Sequence, residues 1–485
     1  MPFNYEEKYN FNIDNLLKRC FVLIIAFIVI VRVIYVCLFN NETVDIQFYN
    51  RIVEGILYGC GFSTVSDSGD CEPVVGHFFP AFHYLLSIFY FLKLNIKSLV
   101  VFISLFQFFS FLNLYYIVSK YLRTKSLSRV LLIILSISPL TLGFSRLILI
   151  EPLVTAFGIL FISGLISIYF EGFKIKNYIY ILIIQIISLY FKPTTILFSI
   201  PLIVLAFNKL NFQLFLKNII SWFIILLLAI SPWGLRNISN GAQKPYTSVL
   251  ESSFYPKNTN GYITWLSTWV ITEHEQAING FVVANPPFDL SIRKAKLNPF
   301  ISMKEINLVN KKYKNKYFFS EEDDLYFKQL ADYRRKELGI FGNFLLYFLK
   351  NSSLLFNPLN SWGWPIEISS QININNTQNN LGSFLISIFT EPKTIFSLFF
   401  KLILFLYRIF IFFVFFKISF LQLKSQGISI AKSNSFVSYF TLSTLCILLG
   451  TLYLFTIHFP SLEHRFISTI VPWIEMTNLL YFYKK

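Results

Sequence analysis

Long apolar runs separated by short polar stretches dominate the chain, and this pattern predicts helices that cross a membrane. A transmembrane helix needs about 20 predominantly apolar residues to span the hydrocarbon core. Two shorter runs meet at Lys192 and Pro193, which predicts a helical hairpin with a polar tip. We predict about ten spans, at residues 21–39, 98–119, 131–150, 153–170, 178–191, 194–207, 219–233, 395–416, 436–457 and 466–482.

The basic residues between the runs predict the orientation of the helices. The densest basic loop lies at residues 120–129, and loops rich in lysine and arginine stay on the cytoplasmic side. The first run lacks a small-residue cleavage site, so we expect a retained anchor with a cytoplasmic N-terminus. The apolar segment 78–92 is short for a crossing and predicts an interfacial or half-inserted helix. Residues 40–80 are then the first external loop.

A helix is predicted at the start of that loop. Asp45 lies in its first turn, Thr43 can serve as N-cap, and Gly59 and Gly61 mark its end. Apolar residues recur at helical spacing, at Tyr49, Ile52, Val53, Ile56 and Leu57. Such a helix would lie on the bilayer surface with its apolar side toward lipid, which holds the Asp45 carboxylate at the boundary of lipid and water.

Two of the five cysteines share the first external loop. Cys60 and Cys71 can close a small disulfide ring in an oxidising compartment, and two free thiols are the alternative. The other cysteines lie in or beside apolar runs, where packing explains them.

Composition fixes the broad class. Of 485 residues, 55% are hydrophobic and only 14% are charged, whereas soluble domains carry about 25% charged residues. The chain is therefore predicted to be a polytopic α-helical membrane protein. Lysine and arginine number 42 against 26 acidic residues. They cluster in short loops between apolar runs, which suits membrane orientation and argues against a nucleic-acid partner.

A change in composition predicts three parts. Residues 1–235 form an N-terminal transmembrane module, residues 236–392 a polar, asparagine-rich external domain, and residues 393–485 the last transmembrane helices. Within the external domain, 319–336 predicts a charged surface helix. The apolar stretch 342–356 could rest on the membrane.

Polar residues collect at the predicted external ends of the helices. Ionisable side chains at membrane depth are costly and are kept mainly for function or pairing. Simpler explanations exist, because a helix N-terminus favours a carboxylate such as Asp45 and a lysine such as Lys192 can extend to the membrane surface. A local pair with Glu463 would likewise explain Arg465. The full set is Asp45, His77, Glu151, Lys192, Arg236, Glu463, His464 and Arg465.

Five motifs occur in order after Asp45: YGCGF at 58–62, HFFPAFHYLL at 77–86, SRLILIE at 145–151, SPWGLRN at 231–237 and LEHRF at 462–466. Together they resemble the GT-C superfamily of polyprenyl-phosphate-sugar-dependent glycosyltransferases, which includes protein O-mannosyltransferases and the aminoarabinose transferase of lipid A. The resemblance covers most of residues 40–473 and is close in these motifs. Phe79, Glu151 and Phe466 stand where the family pattern has proline, aspartate and tyrosine.

The resemblance implies a GT-C-like fold and a hexosyl- or pentosyltransferase that inverts the anomeric centre. Its donor would be a polyprenyl-phosphate-linked sugar with its tail among membrane lipid, and its acceptor a glycan, lipid or protein. Asp45 is the candidate general base, with Glu151 as a second catalytic carboxylate. Lys192, Arg236 and Arg465 are candidates for the donor phosphate. The candidates for substrate binding are Tyr49, His77, Arg146, Glu463 and His464.

Two other classes of protein fit parts of the pattern. A transporter or flippase of lipid-linked glycan would place charges along a path through the membrane centre, and a scaffold of envelope assembly would bind no donor. The residues identify no cofactor and leave open whether a divalent metal joins the carboxylates. Loops rich in asparagine, lysine and isoleucine favour a bacterial inner membrane, with the site facing the periplasm.

Overall fold

The apolar runs fold into helices, because a chain in lipid must bond its backbone polar groups within each segment. The computed structural model describes residues 7–39, 45–75, 80–122, 125–242, 244–246, 258–272, 275, 290, 298–313, 316, 318–357, 362–364, 392–426, 435–458 and 464–484. Its first ten helices are α1 (Glu7–Phe39), α2 (Asp45–Leu57), α3 (Ala81–Phe91), α4 (Ile96–Tyr121), α5 (Lys125–Ile137), α6 (Pro139–Ser145), α7 (Glu151–Glu171), α8 (Ile175–Phe191), α9 (Ser199–Lys209) and α10 (Phe212–Ser239).

The described residues of the second half form seven more helices, and those of the first loop form a β-hairpin. The helices are α11 (Asn260–Leu266), α12 (Met303–Tyr313), α13 (Glu321–Phe356), α14 (Pro392–Gln426), α15 (Phe436–His458), α16 (His464–Ser468) and α17 (Val471–Lys484). A 3-10 helix, Pro193–Phe198, separates α8 from α9. Strands β1 (Ser63–Val65) and β2 (Cys71–Pro73) pair antiparallel, with Thr64 opposite Glu72.

Six of the described helices are long and apolar enough to cross a membrane, so the class of multi-pass helical membrane protein is confirmed. The spans are Cys20–Phe39, Ile96–Tyr121, Glu151–Glu171, Phe212–Ser239, Ile395–Ser425 and Phe436–Leu454. The pair α5 and α6 makes a seventh if it counts as one bent span, whereas α3, α8 and the segment Pro193–Lys209 are shorter apolar helices. The predicted count of ten is not confirmed.

Two predicted spans are broken. Residues 131–150 do not form one helix, because α5 and α6 meet at Ser138 with an angle of 48°. Pro139 follows the break; a proline lacks the amide donor of a helix interior and disfavours helical geometry in the residue before it. Residues 466–482 are likewise divided between α16 and α17. Pro472 lies in the first turn of α17, where a proline is tolerated.

Helix α7 lies at the centre of the bundle and is the most buried of the six spans. It packs against α4 and α8. Gly164 allows the approach of α8, since a Cβ atom there would lie 2.1 Å from Ile181 Cγ2. Small residues at helix contacts bring backbones close together in membranes, where packing replaces the hydrophobic effect between helices.

The predicted helix after the first span exists as α2, but most of its apolar side packs against protein, and only Leu57 at its end is exposed. Tyr49, Ile52 and Val53 are buried in the protein, and the Tyr49 ring packs edge-on against Phe82 of α3 at 5.0 Å. On the side of β1 the helix backbone comes so close that a Cβ atom on Gly55 would lie 1.9 Å from the Ser63 carbonyl oxygen. Helix α3 and the β-hairpin therefore cover the surface that the sequence assigned to the bilayer.

Of the two alternatives for the cysteines of the first loop, the structure has the disulfide. Cys60 and Cys71 are joined, with their Cα atoms 5.5 Å apart. The bond closes the β-hairpin at the end of α2, and Val65 pairs with Cys71 in the strand register. The cross-link therefore restrains the loop that carries α2.

The predicted domain 236–392 contributes a second hydrophobic cluster, formed by α11, α12 and α13. Trp265 and Phe327 meet in it with ring centroids 5.5 Å apart. A capping box of Ser320 and Asp323 starts α13. The two predicted segments 319–336 and 342–356 correspond to two helical parts of α13, which meet at a break at Gly339, where φ is +61°.

Candidate functional site

A buried ion pair lies at the start of α7. Glu151 is the first residue of the helix, and its Oε1 accepts a hydrogen bond from Lys192 Nζ at 2.8 Å. The side chains of Glu151 and Lys192 are only 6% and 14% exposed. Lys192 lies between α8 and the 3-10 helix in extended backbone geometry, with φ −154° and ψ 121°, as expected for a residue before proline. The polar tip of the predicted hairpin thus reaches a carboxylate 41 residues away in the chain.

A second cation acts on the same carboxylate. Arg465, in α16, lies close enough to Glu151 to interact with it electrostatically. Helix α16 packs against α6 and α7, which brings the end of the chain to the start of α7. Among the described side chains, one carboxylate and two cations meet here, which gives a local charge of +1. The sequence predicted these three residues separately, and the folded chain brings them together.

A narrow cleft adjoins the pair. It is lined by four threonine hydroxyls as well as by Lys192 and apolar side chains, among them Thr194, Thr195, Phe198, Thr451 and Thr469. Its free volume is about 10 Å³, which is room for about one water molecule. The lining combines a cation with threonine side chains, and a sugar phosphate is far larger than the free volume, so such a ligand fits only if the lining moves.

Arg236 is bound to the first external loop. Its guanidinium donates hydrogen bonds to the backbone carbonyls of Phe62 and Val74, and it lies over the rings of Phe62 and Trp233 at 5.5 and 5.1 Å. These contacts fix the β-hairpin to the end of α10. A phosphate-binding role for Arg236 stays a prediction.

Arg146 connects three parts of the chain. Its Nε donates to the Gly363 carbonyl at 2.6 Å and its Nη1 to the Phe39 carbonyl at 2.9 Å. Burial lowers the pKa of its guanidinium. Because Phe39 ends α1 and Arg146 precedes Glu151 by five residues, the end of α1 and the start of α7 lie at the same end of the bundle. Asp45 follows Phe39 by six residues, at most about 20 Å of extended chain.

Of the remaining predicted residues, Tyr49 alone has a described side chain. Asp45 is the first residue of α2, and its side chain lies outside the described part, as do His77 and Glu463. His464 begins α16, and its side chain is likewise not described. Tyr49 is buried beside Phe82 and His83, so its described contacts are internal packing.

His83 and Glu475 are among the buried polar residues that the sequence reasoning missed. His83 lies edge-on between the rings of Tyr49 and Phe62, at 5.3 and 5.0 Å. Glu475 accepts hydrogen bonds from Ser138 Oγ at 2.5 Å and from Tyr407 Oη at 2.7 Å. A signal for Glu475 was available, because a single glutamate inside an apolar run is costly unless it is paired.

Among the described residues, no group of three or more histidine, cysteine, aspartate or glutamate side chains is arranged to hold a metal ion. The chain is thus a helical multi-pass membrane protein with a buried carboxylate and two cations at one end of its bundle. No family model matches it, and comparisons with curated proteins and with solved structures give no match either.

Proposed function

We propose that this protein is a membrane glycosyltransferase that moves a sugar from a polyprenyl-phosphate donor to an acceptor, with Asp45 as general base. The observation that carries the proposal is the buried pair of Glu151 and Lys192 beside Arg465. Buried ion pairs are expensive in stability and are common where charge must be held for chemistry. The proposal also rests on the sequence motifs, two of which supply Glu151 and Arg465.

The charges suit a reaction whose leaving group is a phosphate. As the bond between the anomeric carbon and the phosphate oxygen breaks, negative charge grows on that oxygen, and Lys192 and Arg465 would stabilise it. Glu151 would hold the Lys192 ammonium in place beside the cleft. A phosphate needs no proton in order to leave, so the site requires cations and no protonated acid.

The acceptor side of the reaction requires a base. Asp45 would take the acceptor hydroxyl proton while the oxygen bonds to the anomeric carbon, a contribution of about 10²–10⁴ in rate. The new glycosidic bond forms as the phosphate bond breaks, and direct displacement inverts the anomeric centre. The start of α2 and the start of α7 share one end of the bundle, which is the arrangement that this step requires.

The test is transfer by the full chain in lipid vesicles, assayed with several polyprenyl-phosphate sugars in parallel. We expect Asp45→Asn to abolish transfer and Asp67→Asn to leave it unchanged, because Asp67 is an exposed carboxylate of the same loop. Unfolding midpoints equal to wild type would show that both variants are folded. Full activity in Asp45→Asn would contradict the mechanism.

A transporter or flippase for lipid-linked glycan is the second candidate. Charges inside the bundle favour it: Arg32 of α1 donates to the Ser136 carbonyl at 2.7 Å and also to Gln107, and Glu475 is buried in α17. Vesicles loaded with a fluorescent lipid-linked sugar would distinguish the two functions. Movement of the intact lipid across the bilayer, without release of polyprenyl phosphate, would favour transport.

A further inference from the structure

A second charged site lies at the opposite end of α7. Glu171, the last residue of that helix, faces three lysines, with Lys120 Nζ at 3.1 Å and Lys174 and Lys176 Nζ both at 3.5 Å. Tyr121 Oη also donates to the Glu171 carboxylate. A helix C-terminus disfavours a carboxylate, so cations are expected around Glu171.

All of these residues except Lys174 line an open cleft between the last turns of α4 and α7 and the first turns of α8. We name it the Glu171 cleft; Lys120, Tyr121, Glu171, Lys176, Asn177 and Tyr180 belong to its lining. Its free volume is about 270 Å³, enough for the head group of a phospholipid and far beyond a single water molecule.

The charges around Glu171 do not balance. Among the described residues, three ammonium groups, two of them in the cleft lining, face one carboxylate, which gives a local charge of +2. Lys174 and Lys176 remain 57% and 68% exposed, and at 3.5 Å from the carboxylate their ammonium groups keep donors for another oxygen. Asn177 and the Tyr180 hydroxyl add uncharged polar groups at the cleft wall. An anion with several oxygens, such as a phosphate, matches this set of donors.

Apolar surface continues from the cleft along both flanking helices. Tyr116 of α4 is 64% exposed, and Ile179 and Ile183 of α8 are 45% and 51% exposed. Both helices lie in the apolar part of the chain, so these side chains would meet acyl chains once the protein is in a bilayer. A ligand with a phosphate at one end and hydrocarbon at the other fits both features. Basic pockets between membrane helices bind lipid head groups in this way.

We propose that the Glu171 cleft binds the phosphodiester of an anionic membrane phospholipid, with Lys120 and Lys176 as its cationic partners. The site is independent of the proposed transfer reaction, because it lies at the other end of α7 from Glu151. Bound lipid would tie α4, α7 and α8 together at their shared end.

The test is the unfolding midpoint of the full chain in detergent micelles, measured by tryptophan fluorescence while phosphatidylglycerol is added. We expect phosphatidylglycerol to raise the midpoint, since a ligand of the folded state stabilises it. Phosphatidylcholine and inorganic phosphate at equal ionic strength should have little effect. K120M/K176M should weaken the apparent affinity roughly 30-fold, since each lysine near anionic lipid contributes about 1 kcal/mol.

K97M is the matched control, because Lys97 is exposed at the opposite end of α4. The affinity of this variant for phosphatidylglycerol should equal that of wild type.

E171Q provides a second readout that does not depend on the folding of the double variant. Removing the competing carboxylate raises the local charge to +3 and should tighten lipid binding. The proposal fails if K120M/K176M and K97M behave alike, if phosphatidylcholine stabilises equally, or if inorganic phosphate replaces the lipid.

Discussion

Helix α7 begins and ends with a glutamate, and the surroundings of these two carboxylates differ. Glu151 is buried with a single lysine at 2.8 Å beside a cleft of about 10 Å³. Glu171 meets three half-exposed lysines at 3.1–3.5 Å beside a cleft of about 270 Å³. The same residue types therefore form a closed pair at one end and an open, positively charged surface at the other.

The difference in burial determines how much each ion pair contributes to stability and whether its lysines stay accessible to a ligand. Exposed pairs are screened by water and salt and contribute little to stability, about 0–1 kcal/mol. Loss of one partner of a buried pair leaves an uncompensated charge in the protein and costs about 3–5 kcal/mol. The Glu151 pair is thus committed to one geometry, whereas the lysines around Glu171 stay available to a ligand.

The largest expected effect comes from breaking the buried pair on one side. Lys192→Met should destabilise the protein by about 3–5 kcal/mol, because Glu151 would stay buried without its lysine. Glu151→Gln combined with Lys192→Met should recover most of that loss. Chemical unfolding in detergent would give the free energies of both variants, with Lys97→Met as an exposed control. A neutral Lys192→Met would mean that Arg465, the second cation near Glu151, compensates the buried charge by itself.

Lys350 provides a second test of how burial affects a charged group, in a helix other than α7. Lys350 of α13 is fully buried and donates to the Ser267 carbonyl at 2.6 Å, and burial lowers its pKa to about 7. Below that pKa, both the folded and the unfolded chain hold the proton. Above it, only the unfolded chain does, so stability should rise with pH up to the unfolded pKa of about 10.4.

Between pH 7 and pH 9, this contribution should amount to about 2–3 kcal/mol, at 1.36 kcal/mol for each pH unit. Unfolding free energies measured across that range would show the slope. Lys350→Met should remove it, and Lys336→Met, an exposed lysine of the same helix, should retain it. A slope of equal size in both variants would assign the effect to other groups.

The smallest effect is expected at the open end. Glu171→Gln should lower the unfolding midpoint less than Lys192→Met does, because water screens the lysines around it. The loss should shrink further in high salt, whereas the effect of Lys192→Met should persist. Midpoints at low and high ionic strength would measure both trends. Equal salt dependence in the two variants would remove the distinction between the two ends.

Local features of the fold were predictable from the sequence. Apolar runs of sufficient length gave most of the described spans, and the end of α8 before Lys192 follows from two short runs joined at a proline. For Cys60 and Cys71, which share one short loop, the sequence left a disulfide and two free thiols open, and the structure has the disulfide. In each case the partners are neighbours in the chain, so composition and spacing carry the information.

The prediction from the sequence was wrong about what covers the apolar side of α2. Tyr49, Ile52 and Val53 have the spacing of an amphipathic helix, which is the same whether the apolar side meets lipid or protein. Only the folded chain shows that α3 and the β-hairpin lie over them. The bend at Ser138 had a local signal in Pro139, but a proline in an apolar run can also be accommodated within a kinked helix.

The sequence by itself determined that this is a helical membrane protein and which polar residues lie within or beside its apolar runs. The tertiary structure decided which of those residues meet. Lys192 reaches Glu151 across 41 residues and Ser138 reaches Glu475 across 337, because packing around α7 brings distant segments together. Hydrophobic periodicity records which side of a helix is buried and contains no information about the helix that buries it.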